Sequence, residues 1–254
     1  VQRLEQVTTM LAALDDVDTA LELLAAVRRR VASLDSIEVM SPEAIELVAT
    51  HLGTGAPIEV DPDGLVVLVE CADHVDPSAD LHGALQGIDG IAATAIATGG
   101  PPRQRLLDVR DRVTESIAAA ATEAGTPTYK LDVAVPVASI GRLLEVARAA
   151  AAHDGARLIS FGHLAEGNIH LNFLDTRAPD EIAETVLPIV AELGGTISAE
   201  HGVGIAKTRW LHLVQRPGDL AARRAIRRAL DPNGILNPGV LEPDTRIAMS
   251  RVDP

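Results

Sequence analysis

Apolar residues along the chain follow two rhythms, and the change between them outlines the elements. "DVDTALELLAAVRRRVASL" (16–34) repeats apolar positions at helical spacing, with an acidic first turn and a basic last turn that suit the helix dipole. "SPEAIELVATHLG" predicts a helix capped by Ser41, entered through Pro42 and stopped by Gly53. The runs "LVVLVECA" (65–72) and "IAATAIAT" (91–98) read as strands, with a helix around "PSADLHGALQ" between them. A Gly-Pro loop, "TGGPP", leads into one long predicted helix, "RQRLLDVRDRVTESIAAAATEAG" (103–125).

From residue 129 the order is strand "YKLDVAVPV", helix "ASIGRLLEVARAAAAHDG", strand "RLISFGHL", strand "IHLNFL", helix "APDEIAETVLPIVAELGG", strand "TISAE". This β-α-β-β-α-β order is that of a ferredoxin-like unit. The expected fold is therefore α+β, an antiparallel sheet of spatial order 4-1-3-2 with its helices on one face. Leu131, Val133 and Val135 would face the helices, leaving Lys130 and Asp132 on the helix-free face.

That topology bears on "SFGHLAEGNIHLNFL" (160–174), an apolar stretch with two histidines and two asparagines. With "AEGN" as a four-residue hairpin loop, His163 lies opposite His170 at a Cβ separation of about 5 Å, and Asn172 shares the face of His170. Strand starts, hairpin and strand ends then bring Lys130, His163, His170, Glu200 and His201 to one edge. Two imidazoles and a carboxylate form a three-ligand set that leaves a metal coordination position open. The plainer alternative stays open, since histidines beside turns commonly only hydrogen-bond, Lys130 alone reads as a solvated strand residue, and "SAEHGVGIAK" as a glycine-rich turn with Lys207 exposed.

Composition narrows the classes. Aromatics are only 2% of 254 residues and the formal charge is −14, which disfavours nucleic-acid and anionic-membrane partners. No charge-free apolar run reaches transmembrane length. The single cysteine, Cys71, makes no internal disulfide and fits a reducing, cytoplasmic setting. The start "VQRLEQ", without Met or a signal core, suggests a piece of a longer polypeptide.

Four motifs in order, "YKLDVAVP", "FGHLAEGNIHLN", "GGTISAEHGVGIAK" and "LDPNGILNPG", resemble the C-terminal half of FAD-linked D-2-hydroxyacid dehydrogenases of the vanillyl-alcohol-oxidase type. That group includes D-2-hydroxyglutarate and D-lactate dehydrogenases and the glycolate oxidase flavin subunit. The resemblance implies a divalent metal, zinc by analogy, held by His163, His170 and Glu200, and His201 as the base that takes the substrate hydroxyl proton. It implies that Arg110, Thr114 and Lys130 hold the substrate carboxylate, that Asn172 lies near the substrate, and that Asn237 in the last motif contacts the cofactor. Arg110 and Thr114, four apart, would share one helix face. The chain departs from the family pattern at Ala165-Glu166, where Gly-Asp is common, and at Leu107, where tryptophan is frequent.

The implied reaction oxidises a D-2-hydroxy acid to the 2-oxo acid. The family binds FAD mainly through an N-terminal domain with a glycine-rich pyrophosphate loop, and "ATGGPP" reads as too short and too proline-rich, without the strand-loop-helix setting of a phosphate cradle. Residues 1–222 are thus expected to form a substrate- and metal-binding cap domain and 223–254 a tail returning to a FAD-binding domain of the same polypeptide. Alone, the chain is expected to be redox-inactive, with a face exposed that would favour a homodimer. Two other classes fit part of the pattern, a zinc-dependent hydrolase and a non-catalytic interaction module retaining the fold.

Overall fold

A computed structural model of the chain describes residues 6–240. In chain order these form β1 (Gln6–Leu14), α1 (Val17–Arg30), β2 (Leu34–Met40), α2 (Pro42–Leu52), β3 (Leu65–Asp73), α3 (Ser78–Leu85), β4 (Ile91–Ala97), α4 (Gly100–Asp111) and α5 (Val113–Ala124). There follow β5 (Tyr129–Ala134), α6 (Ile140–Asp154), β6 (Arg157–His163), β7 (Asn168–Leu174), α7 (Pro179–Glu192), the short α8 (Leu211–Val214) and α9 (Pro217–Leu230). The described strands make one antiparallel sheet of order β4-β1-β3-β2-β6-β7-β5.

The expected α+β class holds, and the sheet contains the ferredoxin-like pattern twice. β1, β2, β3 and β4 lie in the order 4-1-3-2, with α1 and α3 as the two crossover helices and α2 inserted between β2 and β3. β5, β6 and β7 repeat strands one to three of that order. The second strands of the two units, β2 and β6, meet antiparallel at the centre through Glu38↔His163, Val39↔Gly162 and Met40↔Phe161. The four crossover helices α1, α3, α6 and α7 share one core with Met10, Val67, Val133, Leu171 and Phe173. On the other face α2, α4 and α5 cover β1, β3, β2 and part of β6 through Leu11, Leu68, Ile45, Leu106, Ile117 and Ile159. The rest of that face, over β5, β7 and the end of β6, carries Lys130, Asp132, His170 and Asn172, with Phe161 beside them.

Four sequence expectations change. β1 and β2 are not anticipated; β1 is buried on both faces from Thr8 onward, so it lacks the alternation that marks a half-buried strand. The long helix is interrupted at Arg112 (φ −100°, ψ −5°), whose carbonyl takes both the N–H and the hydroxyl of Ser116, a pairing that bends helices. Arg110 and Thr114 consequently belong to different helices. The hairpin register is offset by two residues, with His163 opposite Asn168 and Phe161 opposite His170. Leu164, fully buried, donates its N–H to the Ile37 carbonyl, and the turn runs through Gly167 (φ 69°), where a Cβ would lie 2.0 Å from the Val135 carbonyl oxygen.

The fourth change concerns "TISAE". Only Thr196 pairs with β5, through a reciprocal bridge with Ala134. Beyond it the chain leaves the ladder, because the backbone N–H groups of Glu200 and His201 donate to the Asp132 carboxylate and Lys207 Nζ donates to the Asp132 and Ile197 carbonyls. The expected border between residues 222 and 223 falls inside α9, and residues 241–254 of the expected tail lie outside the described residues.

Candidate active site

β7 reads "NIHLNFL", and its alternation sends Ile169, Leu171 and Phe173 into the core while His170 and Asn172 take the uncovered face. β5 does the same with Leu131 and Val133 against Lys130 and Asp132, so that Asp132 stands opposite His170 and Lys130 opposite Asn172. β6 adds Phe161, packed on the His170 ring at 5.0 Å, and His163. The ring centroids of His163 and His170 are 6.3 Å apart, and those of His170 and His201 are 5.9 Å apart. The diagonal placement created by the corrected register still brings both hairpin histidines together.

Each ring has an acidic neighbour. His163 Nδ1 bonds to Glu38 Oε1 at 2.8 Å, and its Nε2 is 3.4 Å from Glu200 Oε1. His170 Nδ1 is 3.5 Å from Asp132 Oδ1. Asn168 donates to Glu200 Oε1 at 2.7 Å. Burial lowers the His170 pKa against the pull of Asp132 and Glu200, which favours a neutral imidazole. Burial raises Glu38, with His163 and Arg110 drawing it back.

Asp132 holds the segment that carries Glu200 and His201. Burial opposes its charge, yet the backbone N–H groups of Glu200 and His201, then His170 and Lys207, bring it below the usual carboxylate range. Lys207 is half-buried rather than solvated; burial lowers its ammonium pKa, and Asp132 counters that. The sequence pattern assigns no chemistry to Asp132, Lys207 or Glu38. Asp132 had one usable signal, a carboxylate on the same strand face as Lys130, whereas Glu38 lies on a strand that the pattern did not reveal.

A cleft of about 560 Å³ is lined by Thr114, Lys130, Asp132, His170, Asn172, Glu200, His201 and Lys207 among others. His163 borders the adjoining hollow with Glu38 and Glu200. Asn172 is buried and bonds to the Ile159 carbonyl at 3.3 Å. Arg110 does not line the cleft: it bonds to Glu70 and Asp111, and Arg103 takes the second oxygen of Glu70. Leu107 is buried in the second core and forms no wall of the cleft. Asn237, in a left-handed conformation (φ 44°), lies in a separate groove with Arg227 and Leu236. Ala165 has no need of glycine's freedom, since the positive φ of the hairpin belongs to Gly167.

The donor set suits a divalent ion. His163, His170 and Glu200 can each offer an atom within 4.8 Å of the others, and Asp132, His170 and His201 form a second such group sharing His170. Asn168 Oδ1 and Asp132 Oδ1 are buried polar atoms without a hydrogen-bond partner among the described residues, at the edge of the same donors. Mixed imidazole and carboxylate ligation is within the range of zinc and its neighbours. For a dinucleotide pyrophosphate the fit is poor at the glycine pair. "TGGPP" does lead from β4 directly into the first turn of α4, contrary to the sequence expectation, but Pro101 and Pro102 remove two N–H groups from that turn. No helix among the described residues is long and apolar enough to cross a membrane.

Residues 3–241 match the family model described as "FAD linked oxidases, C-terminal domain". The chain is 31% identical over 229 residues to "Probable D-2-hydroxyglutarate dehydrogenase, mitochondrial" of Oryza sativa subsp. japonica, covering 85% of this chain and 40% of that protein. With "D-2-hydroxyglutarate dehydrogenase" of Stutzerimonas stutzeri it shares 29% identity over 260 residues, covering 93% and 53%. The chain thus spans about half the length, or less, of these curated relatives. In fold it resembles p-cresol methylhydroxylase with bound substrate (TM-score 0.62, 12% identity, 94% of this chain and 53% of that one). It also resembles a 4-ethylphenol oxidase from Gulosibacter chungangensis (TM-score 0.58, 18% identity, 97% and 55%).

Proposed function

Because the chain belongs to the family of FAD-linked oxidase C-terminal domains, we propose that it is the substrate-binding half of a flavin-dependent dehydrogenase that oxidises a D-2-hydroxy acid to the 2-oxo acid. The observation that most supports this reading is one cleft that gathers a cation, two histidines and a carboxylate: Lys130, His170, His201 and Glu200. A small hydroxy acid needs those groups, a positive one for its carboxylate and a basic one for its hydroxyl.

In this reading Lys130, with the Thr114 hydroxyl, receives the substrate carboxylate. Asn172 is held by the Ile159 carbonyl and limits how the substrate lies on the sheet. His201, placed through its backbone by Asp132, accepts the hydroxyl proton as general base. His163, His170 and Glu200 would hold a divalent ion, which supplies Lewis-acid polarisation of the hydroxyl oxygen when bound. Flavin, bound mainly by another part of the same polypeptide, supplies the hydride acceptor. Arg110 acts on this site from outside, as part of the Arg103-Glu70-Arg110 cluster on the same sheet face.

The test uses the full-length protein. Purified with its flavin, it should reduce an artificial electron acceptor with D- but not L-2-hydroxy acids, and His201→Ala should abolish turnover while leaving substrate binding. Absence of turnover with a panel of D-2-hydroxy acids, flavin being bound, would reject the reading.

A further inference from the structure

No residue that lines the cleft precedes Thr114, and all but Thr114 come from β5 onward. Glu38 is different. It stands on β2 of the first unit, directly opposite His163 across the central seam. It is 6% exposed, and its Oε1 lies 2.8 Å from His163 Nδ1. A buried carboxylate is costly unless a partner satisfies it, and His163 is the partner that the seam provides.

We propose that Glu38 is a positioning residue for His163, holding its Nδ1 as the hydrogen-bond donor and turning Nε2 toward Glu200. An ionised carboxylate only accepts hydrogen bonds, so the proton of a neutral His163 ring resides on Nδ1. Nε2 then presents its lone pair on the side where Glu200 Oε1 stands at 3.4 Å. The ring is also prevented from flipping, because the other orientation would break the bond to Glu38. A histidine whose outer nitrogen is held by a carboxylate is a more basic and better oriented ligand. The first unit therefore contributes to the site a group that selects the tautomer of one of its ligands. The bland alternative is an ion pair that merely seals the β2–β6 seam, which would stabilise the fold without affecting what Nε2 does.

The ligand consequence rests on the metal reading above; the tautomer does not. Long-range ¹H–¹⁵N spectra of the zinc-free 254-residue chain should show His163 protonated at Nδ1. Glu38→Leu, close in size, should shift it toward the Nε2–H form or a mixture, and Glu38→Gln, whose amide oxygen still accepts, should restore Nδ1–H. Competition for zinc against a chromophoric chelator should show affinity lowered about 10- to 100-fold in Glu38→Leu, with Glu38→Gln closer to wild type. A wild-type ring protonated at Nε2, or Glu38→Leu with unchanged tautomer and zinc affinity, would overturn the assignment. If the wild-type chain binds no zinc, the metal reading fails and the tautomer alone decides the role of Glu38. If Glu38→Leu does not fold, the wild-type tautomer still decides it.

Discussion

The carboxylate of Asp132 accepts the backbone N–H of His201 at 3.1 Å, and the same oxygen takes the N–H of Glu200 at 2.8 Å. A side chain thus occupies the place where a fourth strand would have paired, and it determines where the proposed base and one proposed ligand stand.

Asp132→Ala should therefore release residues 200–207 without unfolding the sheet. Amide exchange in that segment should quicken at least tenfold, since charge-assisted bonds of about 1.5–3 kcal/mol each are lost. In the full-length enzyme turnover should fall about 100-fold, the effect of a misplaced reacting group. Unchanged exchange and turnover would mean that the segment is held by other contacts.

Lys130 and Arg110 should separate under mutation. Lys130 is exposed at the cleft, so Lys130→Ala should raise KM for the hydroxy acid and change stability by less than about 0.5 kcal/mol. Arg110 is one of two arginines on the buried Glu70, so Arg110→Ala should destabilise by about 1–3 kcal/mol. Denaturation and steady-state kinetics read both; a pure KM effect for Arg110→Ala would return it to direct substrate contact.

Gly167 carries the hairpin turn. Gly167→Ala combines a left-handed backbone, costing about 1–2 kcal/mol, with a Cβ 2.0 Å from the Val135 oxygen. It should lower the melting temperature and metal content together, whereas Ala165→Gly should leave metal content unchanged. Equal metal content in Gly167→Ala and wild type would show that the turn does not hold the donors.

Acid should loosen α1 through its cap. The Thr19 backbone N–H, then the Thr19 hydroxyl, hold Asp16 below its usual pKa. Its folded value lies below the unfolded one of about 3.9, so the stabilisation is complete above that value and disappears as pH falls through the lowered folded pKa. Asp16→Ala should cost about 0.5–2 kcal/mol at neutral pH, and Asp16→Asn should retain most of the cap with a flatter acid dependence. Identical pH–stability curves for wild type and Asp16→Asn would exclude this contribution.

The 254-residue chain by itself should purify colourless and should not reduce an acceptor with D-2-hydroxy acids when FAD is added. A stoichiometric flavin absorbance would show that these residues suffice to bind the cofactor.

Much of the site was legible because a strand's period is two. In β5 and β7 apolar residues alternate with Lys130, Asp132, His170 and Asn172, which is the signature of one covered and one uncovered face. The hairpin histidines were assigned to the correct face even though the pairing was two residues off, since a shift by two preserves parity. The order 4-1-3-2 and the helices α6 and α7 on one face likewise follow from local pattern and connection rules.

Tertiary structure decided what local pattern does not encode. β1 is buried on both faces from Thr8 onward and apolar from Met10, and such a run gives no period from which to recognise it. The pairing of β2 with β6 joins residues 125 apart and brings Glu38 to His163. Thr196 to Glu200 alternate as a strand would, yet the ladder ends after one bridge because Asp132 and Lys207 satisfy the same backbone groups from their side chains. Hydrogen-bond demand is written in the sequence; which donor or acceptor meets it depends on residues brought near by folding.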